Sequence, residues 1–233
     1  MKDSTGAAED GSTQRGRNPA PARYRLAATS RPRAAAETAR DRLRRATAET
    51  HSRLHALRAF SRLISGSLTL SEYSWLLARL YGVHAPLEAR LRGVPAPWCY
   101  DMDPLSHANA RLLDADLFAL NGATSQIADL STCVRLPVIG SPGAFVGCVY
   151  VIEGAGRGGR VMAQRLGALL GAGVTEGRRF FLGCPVADTS PWLRCCIAVE
   201  RGAADGHIDA MIAVAVDTFG ALENWLQERT EIA

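Results

Sequence analysis

The side chains best suited to hold a metal-centred, anionic ligand are His51 and Arg44, in LRRATAETHSRLHAL, residues 43–57. Seven residues are close to two helical turns, so Arg44 and His51 project within about 20° of each other, roughly 10 Å apart along the axis. A neutral imidazole ligates a transition metal. A guanidinium forks onto a carboxylate. A lone helical histidine also serves as an ordinary core or surface residue, so this pair does not decide the matter alone.

A second segment, SPGAFVGCVYVIEGAGRGGRVMAQRL at residues 141–166, is unusual for its glycines. Each glycine inside a helix costs about 1 kcal/mol relative to alanine, so a cluster needs a reason. Gly147, Gly154 and Gly158 project within about 40° of each other, with Gly143 beside them. One face of this helix therefore lacks side chains, and Gly156 and Gly159 favour a kink near Gly154 to Gly159. Such a face admits a flat ligand and a small molecule against the backbone. It equally suits close helix packing, or a loop dividing two shorter helices.

The elements that must position these segments read as helices almost throughout. Periodicity predicts a first helix over about 36–57, with Leu43, Ala46, Thr50, Leu54 and Leu57 as its buried stripe. A second begins after Leu68, capped by Thr69 or Ser71 with Glu72 in the first turn, and runs to about Arg92, where GVPAP stops it. A third covers about Pro104 to Leu120 and ends at Asn121-Gly122. Ser141-Pro142-Gly143 opens a fourth that continues to about Leu170. Two more follow, from Ser190 to Glu200 and from Asp205 to Glu228. No alternating run is long enough for a sheet, so the expected fold is all-α, a single-domain multi-helical bundle over residues 35–233.

Bulk properties exclude more than they assign. A chain of 233 residues, 47% hydrophobic and 21% charged, can bury a sizeable core. Its net charge of +4, spread along the chain, suits an anionic ligand but is no nucleic-acid pattern. Residues 1–34 are rich in Gly, Ser, Pro, Ala and Arg and read as a disordered tail. The most apolar run, Gly143 to Ile152, is too short to cross a bilayer, and Lys2, Asp3, Glu9 and Asp10 argue against a secretory signal. The six cysteines show no C-x-x-C pair and read as reduced core thiols in a cytoplasmic protein. His84, His107 and His207 read as surface or packing residues.

In combination the two segments resemble the haem oxygenase family. L-R-x-A-T-x-x-x-H at Leu43 to His51 resembles its proximal helix, and V-Y-V-I-E-G-x-G-R-G-G-R at Val149 to Arg160 its glycine-rich distal helix. G-x-x-F-F at Gly177 to Phe181, then Trp192, Thr218-Phe219 and Trp225, are similar to the bacterial, biliverdin-producing branch associated with bacteriophytochromes. The likeness spans about residues 38 to 229 in the family's order. It implies a haem-oxygenase-like bundle in which His51 is the axial ligand of haem iron and Arg44 pairs with a haem propionate. Arg194 is offered as a further propionate partner. Gly154, Gly158 and Gly159 form the catalytic distal face.

The implied chemistry uses haem as substrate and cofactor. O2 and electrons open the ring at a meso carbon to give biliverdin, iron and carbon monoxide. No dinucleotide-binding glycine pattern follows a strand, so electrons come from a separate ferredoxin or reductase, and a bacteriophytochrome is a candidate recipient of biliverdin. Two departures stand out. Ala155 lies where animal enzymes carry an aspartate that organises distal water, a loss shared with the phytochrome-linked branch. His55 lies where many members carry an acidic residue, and it projects about 40° from His51 as an alternative ligand. Two other functions fit the same residues. One is a haem carrier or sensor without turnover, and the other is a haem-free interaction module that keeps the fold.

Overall fold

The longest helical contact forms where the sequence removes side chains to permit it. Ser141 opens α5 (Pro142–Arg165), its hydroxyl accepting from the Ala144 amide at 3.1 Å, with Pro142 supplying a preset first turn. At Gly147 a β-carbon would stand 2.3 Å from the carbonyl oxygen of Met211, and at Gly143 one would stand 2.9 Å from that of His207. Both carbonyls belong to the start of the last long helix, α9 (Ile208–Gln227), and its N-cap. The N-terminal half of the glycine face is therefore a seat for backbone against backbone. The C-terminal half, beyond Gly154, is not.

The computed structural model describes residues 37–103, 109–122, 130–183 and 191–228. The tail expected over 1–34 lies outside the described residues, as do Pro104, His107 and Cys184. Besides α5 and α9, the helices are α1 (Ala39–Ala56), α2 (Arg58–Ser65), α3 (Leu70–Arg92), α4 (Asn109–Asn121), α6 (Gly167–Leu170), α7 (Arg179–Leu182) and α8 (Pro191–Ala204). A short 3-10 turn occupies Ala96–Cys99. No strand occurs among the described residues, so the fold is the all-α bundle that the periodicity predicts. Among these residues, no helix is long and apolar enough to cross a membrane.

The first helix differs from the sequence reading in two ways. It stops at Ala56, and α2 follows directly, ending in a left-handed Gly66 (φ 70°). Its buried stripe is Leu43, Thr47, Thr50 and Leu54; Ala46 is exposed. Thr47 can be buried because its hydroxyl donates to the Leu43 carbonyl at 2.9 Å, leaving its methyl group to the interior. The helix is fixed at both ends. Thr38 caps it, and the Glu200 carboxylate of α8 accepts from the Ala39 and Arg40 amides at 3.2 and 3.1 Å. Further along, Arg53 Nε donates to Glu223 of α9 at 3.0 Å.

α3 starts with a complete capping box between Thr69 and Glu72. Pro86 sits inside this helix, and a proline there cannot donate to the carbonyl of Gly82. Cys133 supplies the missing donor, its amide reaching Gly82 O at 2.8 Å. Arg90 adds bonds to the Leu136 and Pro137 carbonyls at 2.9 and 3.0 Å, so the segment 130–140 is strapped across α3. Trp225 of α9 docks there too. Its indole donates to Arg79 O at 2.7 Å, and the Arg79 guanidinium lies 3.5 Å from its ring centroid.

The fourth helix, expected to reach Leu170, ends at Arg165, with α6 as a separate turn after it. Through the kink expected at Gly154 to Gly159 the helix is hydrogen-bonded without a break. Cys133, Cys148 and Cys195 are free and buried, in keeping with reduced core thiols. Gly147→Ala is expected to destabilise the fold by at least about 1–3 kcal/mol through overpacking, because only backbone could move aside. Urea denaturation measures it, and an unchanged midpoint would contradict the close α5–α9 seat.

Candidate active site

α1 and α5 both pack on α8 and α9, and between them lies a cavity of about 800 Å³. That is within the range of about 300–1,000 Å³ typical of small-molecule sites. Its lining is mostly apolar and aromatic, with Phe60, Tyr150, Trp192, Phe180, Phe181 and Phe219 among it. The structure brings Arg44, His51, Gly154 and Gly158 together on this one surface.

On the α1 side, His51 and His55 sit one turn apart with ring centroids 4.4 Å from each other. The edge of Phe219 approaches His51 at 5.7 Å, and Phe60 lies 5.9 Å from His55. Burial lowers the pKa of His51; burial and then the neighbouring His51 lower that of His55. Both imidazoles are therefore biased toward the neutral form that ligates metals. Thr47 and Thr218, also on the wall, donate back to their own helices, Thr218 to Val214 O at 2.7 Å. Their hydroxyls are thus engaged within the protein.

On the α5 side the glycines divide by direction. A β-carbon at Gly158 would meet nothing within 4 Å, and one at Gly154 would only touch the Trp192 ring at 3.6 Å. These two open the helix backbone to the cavity. Gly159 points elsewhere: its β-carbon would lie 2.5 Å from the Phe181 carbonyl oxygen, so it lets α7 pack close. Ala155 lines the cavity and contributes no polar group.

α7 is a single turn, and it is positioned by charge. The buried Asp116 carboxylate of α4 accepts from the Arg179 and Phe180 amides, each at 2.9 Å, capping that turn. Burial pushes the Asp116 carboxyl up, while the amides of Phe180 and Arg179 pull it back. Tyr73 donates to Gly177 O at 2.6 Å and fixes the approach. Phe180 and Phe181 are thereby set on the cavity wall, and the ring of His84 lies 5.3 Å from Phe180.

His84, expected as a surface or packing residue, takes the packing position. It is 4% exposed and lines the cavity, and its Nδ1 has no hydrogen-bond partner. Burial lowers its pKa to about 4. The signal was present in the pattern: Leu77, Leu80, His84, Leu87 and Leu91 are spaced by three and four, which makes His84 part of the buried stripe of α3. At the other end of the cavity, Arg40, Asp41 and Arg44 come together, with Arg44 3.6 Å from Asp41 in an exposed pair. Arg194 is absent from the lining, and Arg40 is the second guanidinium there.

The family model described as heme oxygenase matches residues 37–182, from the start of α1 to the end of α7. The chain belongs to the haem oxygenase family. Among solved structures, the haem oxygenase of Leptospira interrogans superposes with a TM-score of 0.63 at 16% identity, covering 82% of this chain and all of that one. Haem oxygenase-1 of the cyanobacterium Synechocystis, solved with haem, gives 0.58 at 14% identity, over 82% of this chain and 91% of that one. No curated protein matches at the level of sequence. Likeness this distant establishes the shared fold. In this haem oxygenase family member the matched segment contains both glycine-bearing and histidine-bearing walls of the cavity.

Two measurements examine these walls. Gly158→Ala is expected to stabilise the ligand-free chain by about 0.5–1 kcal/mol, since the methyl group meets nothing and the helix gains propensity. A lower melting temperature would contradict the open face. His84 is neutral in the folded chain down to about pH 4 but titrates near 6.5 when unfolded. Between those values the unfolded chain binds more protons, so stability falls as pH falls, by about 1.4 kcal/mol per unit. His84→Phe is expected to remove that slope and to match or exceed wild-type stability at neutral pH, because an unpaired buried nitrogen is lost. Denaturant midpoints across that pH window decide it, and parallel curves would place His84 elsewhere.

Proposed function

We propose that this chain is a haem-degrading oxygenase, and that the cavity between α1 and α5 is where haem is held and opened to biliverdin. The observation that carries the reading is the pairing of two unlike walls. One presents an unpaired imidazole at His51, and the other presents bare helix at Gly154 and Gly158. A planar macrocycle with a central metal needs a ligand on one face and space for a small molecule on the other. The apolar lining suits its rings, and Arg40 and Arg44 at one end suit its carboxylates.

In this reading haem, substrate and cofactor together, supplies the iron and the oxidisable ring, and with O2 and electrons from a separate ferredoxin or reductase gives biliverdin, iron and carbon monoxide. The protein's part is placement. His51 would offer an imidazole nitrogen to the iron, with Phe219 5.7 Å from its ring. Arg44 and Arg40 would pair with the haem propionates. Gly154 and Gly158 leave the small-molecule space on the other face. Gly159 acts one step removed, by letting Phe181 close the wall. A cytoplasmic setting and a bacteriophytochrome as acceptor of the product complete the proposal, on the resemblance of Y-V-I-E-G-x-G-R-G-G to that branch.

The experiment is a haem titration of the purified chain, followed by ascorbate in air, for wild type, His51→Ala and Arg44→Ala. A saturable Soret band that decays to a biliverdin spectrum is expected. His51→Ala should abolish turnover and shift the Soret band, whereas Arg44→Ala, removing an exposed charge, should weaken binding no more than about fivefold. A stable complex that never bleaches would make the chain a haem carrier. Absence of a specific complex would leave the bundle as an interaction module and end the haem reading.

A further inference from the structure

The residue four after His51 is another histidine, and the two are neighbours on one face of α1. We propose that His51 and His55 together form a two-imidazole site for a divalent first-row transition-metal ion, available in the haem-free chain and blocked when haem occupies the cavity. With metal–nitrogen bonds of about 2.0–2.1 Å, two imidazoles at positions about 90° apart on one ion, as in square-planar or octahedral Ni(II) or Cu(II), place their ring centroids about 4.5 Å apart. The observed separation is 4.4 Å, with the rings inclined at 42°.

Aromatic rings flank the pair, Phe219 at 5.7 Å from His51 and Phe60 at 5.9 Å from His55. Neither ring is engaged in a hydrogen bond with another described residue, and both face the cavity, where water can complete a coordination sphere. No third His, Cys, Asp or Glu joins them among the described residues. The ligand set is therefore nitrogen and water, which suits Ni(II), Cu(II), Zn(II) and Fe(II) and does not suit Mg(II) or Ca(II). Arg40 and Arg44 on the same helix oppose a dication, Arg44 less so because Asp41 lies 3.6 Å from it. The site stands on this geometry and does not require the haem reading. If that reading holds, the iron released by ring opening is set free beside the same two imidazoles.

The test is calorimetric titration of the haem-free full chain with Ni(II) near neutral pH, for wild type, His51→Gln and His55→Gln, and for the haem-loaded wild type. One ion per chain is expected, weakened about tenfold or more by either substitution, which is about 1.4 kcal/mol, and absent after haem loading. Paramagnetic broadening gives a readout that needs no variant: substoichiometric Ni(II) should erase two histidine ring signals first and spare that of His207, which lies outside the cavity lining. Equal Ni(II) affinity in wild type and His55→Gln, or broadening of His207 first, would overturn the proposal. Undiminished Ni(II) binding in the haem-loaded chain would overturn the shared site. Ni(II) binding through both histidines in a chain that ignores haem would keep the metal site and discard the oxygenase.

Discussion

Between Gly147 and Met211 two helix backbones touch with no room for a methyl group, and the interior of the bundle is arranged around that contact. It seats α5 on α9 along the first half of the glycine face. α9 in turn carries α1, through the Arg53–Glu223 bond and the packing around Phe219. α5 and α1 both pack on α9, and the cavity is lined from both helices. A bulkier residue at Gly147 would separate α5 from its seat and change the width of that cavity. The same stripe of glycines thus serves close packing at one end of α5 and openness at the other.

The cavity's chemistry follows from which polar groups are already satisfied. Thr47 and Thr218 spend their hydroxyls on their own helices, and Asp116 spends its carboxylate on α7. Among the described lining residues, a ligand meets chiefly three imidazoles, the Arg40 and Arg44 guanidiniums beside Asp41, and bare backbone. Ring nitrogens without partners are costly in an apolar interior, and burial drives all three histidines toward neutrality. Such an interior is poorly suited to a small polar metabolite. It is well suited to a flat, largely apolar molecule with a ligatable centre and acidic groups at one edge.

Much of this could be read from residue order, because the decisive features are local. Helix periodicity found α1, α3, α5, α8 and α9 within a few residues, and the caps at Thr69 and Ser141 are where Glu72 and Pro142 place them. Arg44, His51, Gly154 and Gly158 reach one surface because spacing along single helices places them on defined faces. What escaped depends on distant partners. α7 is one turn long and exists because Asp116, about sixty residues earlier, accepts its amides. Pro86 survives in a helix because Cys133 replaces a donor. Helix phase turns Gly159 about 100° away from Gly158, and what it meets there, the Phe181 carbonyl of α7, is set by the tertiary fold. His84 is different: its spacing with Leu77, Leu80, Leu87 and Leu91 places it on the buried stripe of α3, and the packing role expected for it is met there.

The fastening of α1 has a further meaning for how the chain is made. Glu200 and Glu223 hold this helix from 160 to 170 residues further along the chain. At about 5–20 residues per second, the segment bearing His51 leaves the ribosome on the order of ten seconds before its partners exist. During that interval an amphipathic helix with two free imidazoles waits without a pocket around it. Ligand capture therefore belongs to the finished chain, and a ribosome stalled before α8 would release a product with the ligating histidine but no site.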